Sequence, residues 1–343
     1  MKTKLAVSLW SALLGGLLAL PVHSQPAPGF SQEPEVKAFI VDMHEQHGFD
    51  VAHLTRQFAA IRPNATVLRA IRPPAVPEMQ RSWQRYRERF VNSRRVDGGL
   101  RYWQKHGATL QRAEAIYGVA PEIIVAIIGV ETEYGQNMGS FGVLEALASL
   151  AFHYPPRAEF FRGELEQFLL LARENGVSPL DIKGSYAGAI GIPQFMPGSQ
   201  RRFAVDFDND DRIDLRHSNA DAIGSVARYL NQHGWQKGAP VAVPASVNGD
   251  PAALIAAGIK PTLRIRELAS QGVVADSRMS PADAEKPAAL IDLVSPGAPT
   301  GYWLGFDNFY AITRYNRSSF YAMAVFQLAE ALREARHEPA AER

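Results

Sequence analysis

The sequence predicts an α+β fold that is mainly α: a helical core with a small β subdomain and an EF-hand-like loop. Three observations predict it. Apolar residues recur at spacings of three and four through most of residues 34–236, the period of amphipathic helices. From 238 to 305 the chain turns to Pro, Val and short alternating runs such as Thr262-Leu-Arg-Ile265 and Ala289-Leu-Ile-Asp-Leu293, the period of strands. Between them, Asp206, Asp208, Asp210 and Asp214 alternate along one acidic loop.

The elements follow in order. Lys2 and Lys4 precede an apolar run from Leu5 to Leu20, Pro21 breaks it, and Val22-His23-Ser24 offers small residues for cleavage. That three-part pattern predicts a secretory signal peptide over 1–24, too short and too glycine-weakened for a membrane span. Its removal leaves 319 of the 343 residues, with one formal negative charge in excess and no second run long enough to span a membrane. Residues 25–33 read as a flexible leader. Helices are expected near 34–47, 50–61, 75–90 and 94–117, forming an N-terminal helical region over 34–117. Pro121 suits a first helical turn and Gly135 a stop. Further helices are expected over 144–153 and 157–174, with a structured loop at 178–199. The acidic loop spans 206–221, and Ser218 or Asn219 caps a helix to His233. The core thus covers 118–236, the β subdomain 237–305, a closing strand and helix 306–336, and a polar tail 337–343.

Composition excludes several classes. With 36 Lys and Arg against 35 Asp and Glu there is no broad positive field for nucleic acid. Arginines 81, 85, 87, 89, 94, 95 and 101 do interleave with Trp83, Tyr86, Tyr102 and Trp103, but Glu78, Glu88 and Asp97 dilute them, so solvated helix faces are expected. No nucleic-acid partner is predicted. The absence of cysteine excludes disulfides, thiolate zinc sites, a cysteine nucleophile and a lipid-bearing N-terminal cysteine. An exported chain of this kind fits a periplasm.

The sharpest local feature is Ile123-Ile-Val-Ala-Ile-Ile-Gly-Val-Glu131. A helix apolar on all sides is buried. Glu131 follows Ile127 by four residues and Ile128 by three, so it continues their face. Desolvation there raises a carboxyl pKa and holds the group protonated, as a general acid requires. A salt bridge at the helix end is the structural alternative, and the pattern alone leaves both open. Glu133, two residues on, lies about 200° around a helix and points elsewhere.

Several ordered motifs carry a family resemblance. Gly129-Val-Glu-Thr-Glu-Tyr-Gly135, Phe152-His-Tyr-Pro-Pro-Arg-Ala-Glu-Phe-Phe161, Gly184-Ser-Tyr-Ala-Gly-Ala-Ile-Gly-Ile-Pro-Gln-Phe-Met-Pro197, Val205-Asp-Phe and Asp221-Ala-Ile-Gly-Ser-Val-Ala-Arg-Tyr229 resemble the lytic murein transglycosylases of the B type, glycoside hydrolase family 103. Phe309-Tyr-Ala-Ile-Thr-Arg-Tyr-Asn316 and Tyr321-Ala-Met-Ala-Val325 extend the match, which runs from about residue 35 to 333.

The resemblance implies a lysozyme-like core. It implies cleavage of the β-1,4 bond between N-acetylmuramic acid and N-acetylglucosamine in peptidoglycan, without water. The glutamate of Gly-Val-Glu, here Glu131, is the family's sole acid/base, and the muramyl O6 closes a 1,6-anhydro ring. A single carboxyl suffices because the substrate supplies the nucleophile, whereas ordinary glycosidases need two. A hydrolytic muramidase and a non-catalytic peptidoglycan-binding scaffold are the alternative readings. Ser185, Gln194, Phe195, Tyr229, Tyr315, Asn316, Tyr321 and Tyr86 fall on positions that line the family's cleft, Ser185 and Gln194 to hold an N-acetyl group or the carboxyl, and Phe195 to pack beneath a sugar. Arg157 is the retained arginine where the family often has Tyr-Pro-Arg-Arg and this chain has Tyr154-Pro-Pro-Arg157, which bears on stem-peptide recognition. Pro193 stands where the family often has glycine and stiffens that loop. Glycan strands are the expected partner, with other cell-wall enzymes as further partners, and a soluble periplasmic monomer the expected form. No organic cofactor is expected.

The acidic loop predicts calcium. Asp206, Asp208, Asp210 and Asp214 take positions 1, 3, 5 and 9 of an EF-hand-like loop, but position 6 is Asp211 rather than glycine and position 12 is His217 rather than glutamate. A solvated acidic turn is the plain alternative. The resemblance implies a variant loop closed by a later aspartate, here Asp221, with the carbonyl of Arg212 as a further ligand and the ion structural. Two other motifs fail: His44-Glu-Gln-His47 lacks the four-residue spacing of zinc proteases, and Gly184-Ser-Tyr-Ala-Gly188 lacks a central serine.

Overall fold

The computed structural model describes residues 29–73, 81–276, 279 and 281–337. The signal-peptide reading of 1–24 and the polar tail from 338 onward lie outside them.

Capping residues set the helix boundaries. Pro34 opens α1 (Pro34–His47) and Gly48 closes it in the left-handed region. Asp50, Asn64, Ser82 and Asn92 each accept a backbone N–H in the first turn of α2 (Val51–Ala59), α3 (Ala65–Ala70), α4 (Trp83–Phe90) and α5 (Ser93–Tyr117). Pro121 opens α6 (Pro121–Thr132), whose residues Ile123 to Val130 are all buried. Then come α7 (Val143–His153), α8 (Ala158–Glu174), α9 (Pro197–Phe203) and α10 (Asn219–Gln232), with Ser218 capping the last through its hydroxyl. Short α11 (Ala252–Ala256) and α12 (Ile265–Ser270) sit among strands, and α13 (Asp307–Tyr315) and α14 (Ser319–His337) end the fold.

Strands are few. β1 (Phe141–Gly142) and β2 (Lys183–Gly184) pair antiparallel, Phe141 opposite Gly184. A five-stranded sheet has the order β4-β6-β7-β3-β5, with β3 (Ala242–Val247), β4 (Leu263–Arg264), β5 (Val273–Ala275), β6 (Pro287–Leu293) and β7 (Gly301–Gly305). Every pairing is antiparallel; Leu290 faces Leu304 and Pro244 faces Trp303.

Three apolar clusters organise these elements. The largest wraps α6 with α5, α10, α13 and α14 and draws in Ile291 and Leu293 of the sheet. A second joins Phe30 and α1–α3 to α7 and α8. A third lies within the sheet, around Leu290, Leu304 and Leu268. At roughly 1.5–3 kcal/mol for each large apolar side chain buried, α6 is anchored from every side, which fixes the position of its C-terminal end.

Four expectations need correction. Residues 25–33 are not all a leader: Phe30–Gln32 form a 3₁₀ turn and Phe30 is fully buried in the second cluster. Residues 34–117 are not one packing unit, because α1–α3 serve the second cluster while α4 and α5 pack on the first. Helix α3 was not foreseen; Asn64 nucleates it by accepting N–H groups of Thr66 and Val67. The closing segment holds two helices rather than a strand and a helix. Asn308, Phe309, Ala311, Ile312 and Thr313 are its buried positions, with Asn308, Phe309, Ile312 and Thr313 at helical spacing, and Asn308 staples the turn before β3 by accepting from Gln236 N–H at 2.7 Å and donating to the carbonyls of Gln236 and Ala239, both at 2.9 Å. Among the described residues no single helix is long and apolar enough to cross a membrane.

Candidate active site

The end of α6 is a built structure. The helix stops at Thr132, and Glu133 and Tyr134 both turn into the left-handed region, at φ 52° and 62°. Such conformations cost on the order of 1 kcal/mol or more for non-glycine residues. Local contacts offset this. Tyr134 donates its hydroxyl to the Arg95 carbonyl at 2.7 Å, and Asn137 N–H donates to the Thr132 carbonyl at 2.9 Å. The Tyr134 ring lies against Gly98, Gly99 and Gly129. A methyl group on Gly129 would sit 2.6 Å from the tyrosine oxygen, so that glycine is required by packing. The Thr132 hydroxyl donates to the Ile192 carbonyl at 2.8 Å, and Ile192 N–H donates to the Leu215 carbonyl at 2.8 Å. The helix end, the 190–195 loop and the acidic loop are thus tied in series.

Glu131 is the next-to-last residue of α6 and is only partly covered. Burial raises its carboxyl pKa from the usual 4.5 to about 7, against the opposing pull of a hydrogen bond from Tyr321. The Tyr321 hydroxyl donates to Glu131 Oε1 at 2.7 Å, and Tyr321 itself is 2% exposed. Tyr315 stacks on Tyr321, ring centres 6.3 Å apart, and donates its hydroxyl to the Pro193 carbonyl at 2.5 Å. Tyr86 of α4 packs on Phe90 and Phe320; desolvation and then the Glu131 charge raise it to about 12. Burial and the same carboxylate hold Tyr315 and Tyr321 well above the usual phenol range. Glu131 is the carboxylate these three tyrosines share.

Glu133 faces away, as expected, but for a different reason from helical rotation. Its left-handed backbone turns the side chain to Arg94 and Arg95, with Asn137 donating at 3.3 Å.

The remaining sequence-predicted residues divide. Phe195 is 2% exposed and packs beneath Tyr229 and Tyr315, ring centres 5.5 and 5.6 Å away, so it floors the tyrosines and not a sugar. Tyr229 is also buried. It donates to the Arg314 carbonyl at 2.5 Å and stacks on His233 at 4.0 Å, and burial raises it to about 12. Gln194 holds φ 52°, and its amide N–H groups go to the carbonyls of Met138 at 3.1 Å and Gly191 at 2.9 Å; its oxygen is left to accept. The Ser185 hydroxyl accepts N–H groups of Ala187 and Ala189 at 3.3 and 3.0 Å and shapes its own turn. Asn316 is exposed. Arg157 is exposed too, its guanidinium 4.3 Å from the Phe160 ring centre, and it meets no other residue of this group. Sequence reasoning missed Thr132, Arg95, Tyr134 and His233. The Gly129 and Gly135 that bracket the motif were the available signal for the first three.

The acidic loop carries a partial cation site. One carboxylate oxygen each from Asp206, Asp208 and Asp210 lies within 4.8 Å of the others. Asp211, in the position usually given to glycine, adopts φ 65°, the conformation a glycine would supply there. The two later aspartates are engaged differently. Asp214 accepts the His217 ring nitrogen at 2.9 Å, and buried Asp221 accepts Phe207 N–H at 2.7 Å and Asp214 N–H at 2.8 Å. Asp221 therefore clasps the loop through its backbone instead of joining the three outer carboxylates. Those three carboxylates are hard oxygen donors suited to calcium, and the Arg212 carbonyl lies two residues past Asp210 in the same loop.

Comparison with known proteins places this geometry. Residues 31–330 match the transglycosylase SLT domain. The chain is 44% identical over 333 residues to the membrane-bound lytic murein transglycosylase B of Escherichia coli K12, covering 94% of this chain and 90% of the relative. The crystal structure of soluble lytic transglycosylase SltB1 from Pseudomonas aeruginosa superposes with a TM-score of 0.80 at 45% identity, covering 89% of this chain and all of that one. Escherichia coli lytic transglycosylase Slt35, solved in complex with calcium, gives 0.81 at 42% identity, covering 94% and 100%. With its partly covered, tyrosine-bonded glutamate at the end of an apolar helix inside a lysozyme-like helical core, the chain belongs to the transglycosylase SLT family of peptidoglycan lytic transglycosylases.

Proposed function

We propose that Glu131 is the sole acid/base in cleavage of the β-1,4 bond between N-acetylmuramic acid and N-acetylglucosamine, with the muramyl O6 as nucleophile and a 1,6-anhydro product. The observation that carries this reading is one carboxyl, raised to about 7, in contact with a tyrosine and with its neighbour Glu133 committed to arginines. Near neutral pH such a group is a proton donor, and it protonates the leaving glycosidic oxygen. Once ionised it takes the proton from O6 as that oxygen attacks C1, so the carboxyl ends as it began. The substrate's N-acetyl carbonyl stabilises the intermediate state as an oxazolinium ion, which removes the need for a second carboxylate. Tyr321 orients the carboxyl and Tyr315 orients Tyr321. Tyr86, Tyr229, Gln194, Ser185 and Asn316 complete the surroundings, and Arg157 serves stem peptides at a distance from the carboxyl.

We assign calcium a structural role on Asp206, Asp208, Asp210 and the Arg212 carbonyl, where it would neutralise three converging charges. The loop is tied through Leu215 and Ile192 to Thr132, next to Glu131, so its order supports the site. Residues 1–24 direct export, and the chain works in the periplasm as a soluble monomer; it holds no cysteine to carry a lipid.

Mass analysis of digested peptidoglycan tests the chemistry. Anhydromuramyl ends are expected. Reducing ends in their place would make the enzyme a hydrolytic muramidase.

A further inference from the structure

A groove of about 580 Å³ lies between the C-terminal end of α8, the loop that follows it and the acidic loop. Glu131 does not line it, nor does any tyrosine of the site. It lies behind the 190–195 loop, reaching that loop at Ile190, whose backbone bridges to Phe195. Leu171, Ile182, Ile190 and Leu215 are its buried apolar residues. The volume is within the range of small-ligand sites.

Three features of its lining point to one ligand chemistry. Gln200 of α9 is 7% exposed, and its side-chain oxygen is buried with no hydrogen-bond partner. An orphaned amide oxygen of this kind costs on the order of 1–3 kcal/mol unless a donor meets it. Arg212 and Arg216 line the same groove, and neither guanidinium meets a side-chain partner among the described residues. Asp181 adds an opposite charge, while Asp214 is already paired with His217.

We propose that this groove binds a short acidic peptide. An amide N–H of the peptide meets Gln200, a carboxylate meets Arg216 and Arg212, an ammonium meets Asp181, and aliphatic side chains cover the apolar residues. Neutral sugar offers no negative charge to balance the arginines, and a simple anion offers no partner for Asp181 or the apolar surface. Resting on the proposed peptidoglycan reading, the peptide is the one borne by wall strands, so the groove is a second contact with the wall, separate from the bond that is cut.

The test is calorimetric titration of the full chain with the tetrapeptide N-acetyl-Ala-γ-Glu-Lys-Ala, its N-terminus blocked as it is on a strand, as free acid and as C-terminal amide, and with peptide-free chitotetraose as the sugar control. Saturable binding of the free acid is expected, weakened about tenfold in the amide and tenfold or more in Arg216→Glu. Gln200→Leu should weaken both peptide forms alike. If Gln200→Leu does not fold, Arg216→Glu, checked by an unchanged melting midpoint, decides alone. Absence of peptide binding to wild type, or equal binding by wild type and Arg216→Glu, would overturn the proposal. Turnover of whole sacculi by the same preparation reports separately on the activity, so an active enzyme that ignores the peptide contradicts the groove and not the catalytic reading.

Discussion

Replacing Glu131 by glutamine should stabilise the protein in a pH-dependent way. The carboxyl titrates at about 7 in the folded chain and at 4.5 when unperturbed. Below pH 4.5 it is protonated in both folded and unfolded states and adds nothing to the difference between them. Between pH 4.5 and about 7 the folded chain keeps a proton that the unfolded chain has lost, so stability falls as pH rises. Above pH 7 the loss is complete. At about 1.4 kcal/mol for each tenfold change in proton affinity, it amounts to roughly 3 kcal/mol. Glutamine does not titrate and keeps an oxygen for Tyr321, so the variant escapes the penalty. Urea denaturation of wild type and Glu131→Gln at pH 5 and pH 8 measures it, since other titrating groups cancel in the comparison. The advantage of the variant should grow by about 2–3 kcal/mol between the two pH values, pH 5 already lying slightly inside the window. A difference that stays constant with pH would mean that the native carboxyl is not held protonated.

Two further outcomes follow from the same geometry. The hydrogen bond from Tyr321 lowers the Glu131 pKa, so Tyr321→Phe should move the alkaline fall of the pH–rate profile to higher pH and slow turnover about tenfold, the scale of one hydrogen bond to a charged group; an unmoved profile would show the contact to be idle. Calcium should raise the melting midpoint and chelator lower it, because an ion at one hundred times its dissociation constant adds about 2.7 kcal/mol; identical midpoints would remove the ion from the fold.

The sequence made the central carboxyl legible because burial follows from pattern. An all-apolar helix from Ile123 to Val130 has no exposed face, so a glutamate continuing it must be desolvated. The helical periods of α1, α5 and α8 were legible for the same reason. What surrounds Glu131 was not readable from the residues alone. Tyr321 lies 190 residues away and reaches the carboxyl only because α14 packs along α6 in the largest cluster. The family resemblance supplied that residue, but not its contact. Glu133 illustrates a different gap: helical geometry gave the right direction, yet the residue leaves the helix, because Tyr134 needs the slot over Gly129. The resemblance implies that Phe195 and Tyr229 line the cleft; both are buried, since a motif match carries a ring's position along the chain and not its exposure. The resemblance implies Asp221 as a closing ligand, while in the fold its oxygens are occupied by backbone N–H groups.

The most direct measurement is turnover of purified sacculi by Glu131→Gln beside wild type, with sacculus binding measured on the same samples. A fall of at least about a thousandfold is expected, with binding retained and no new reducing ends. Cleavage at the wild-type rate would mean that another group moves the proton.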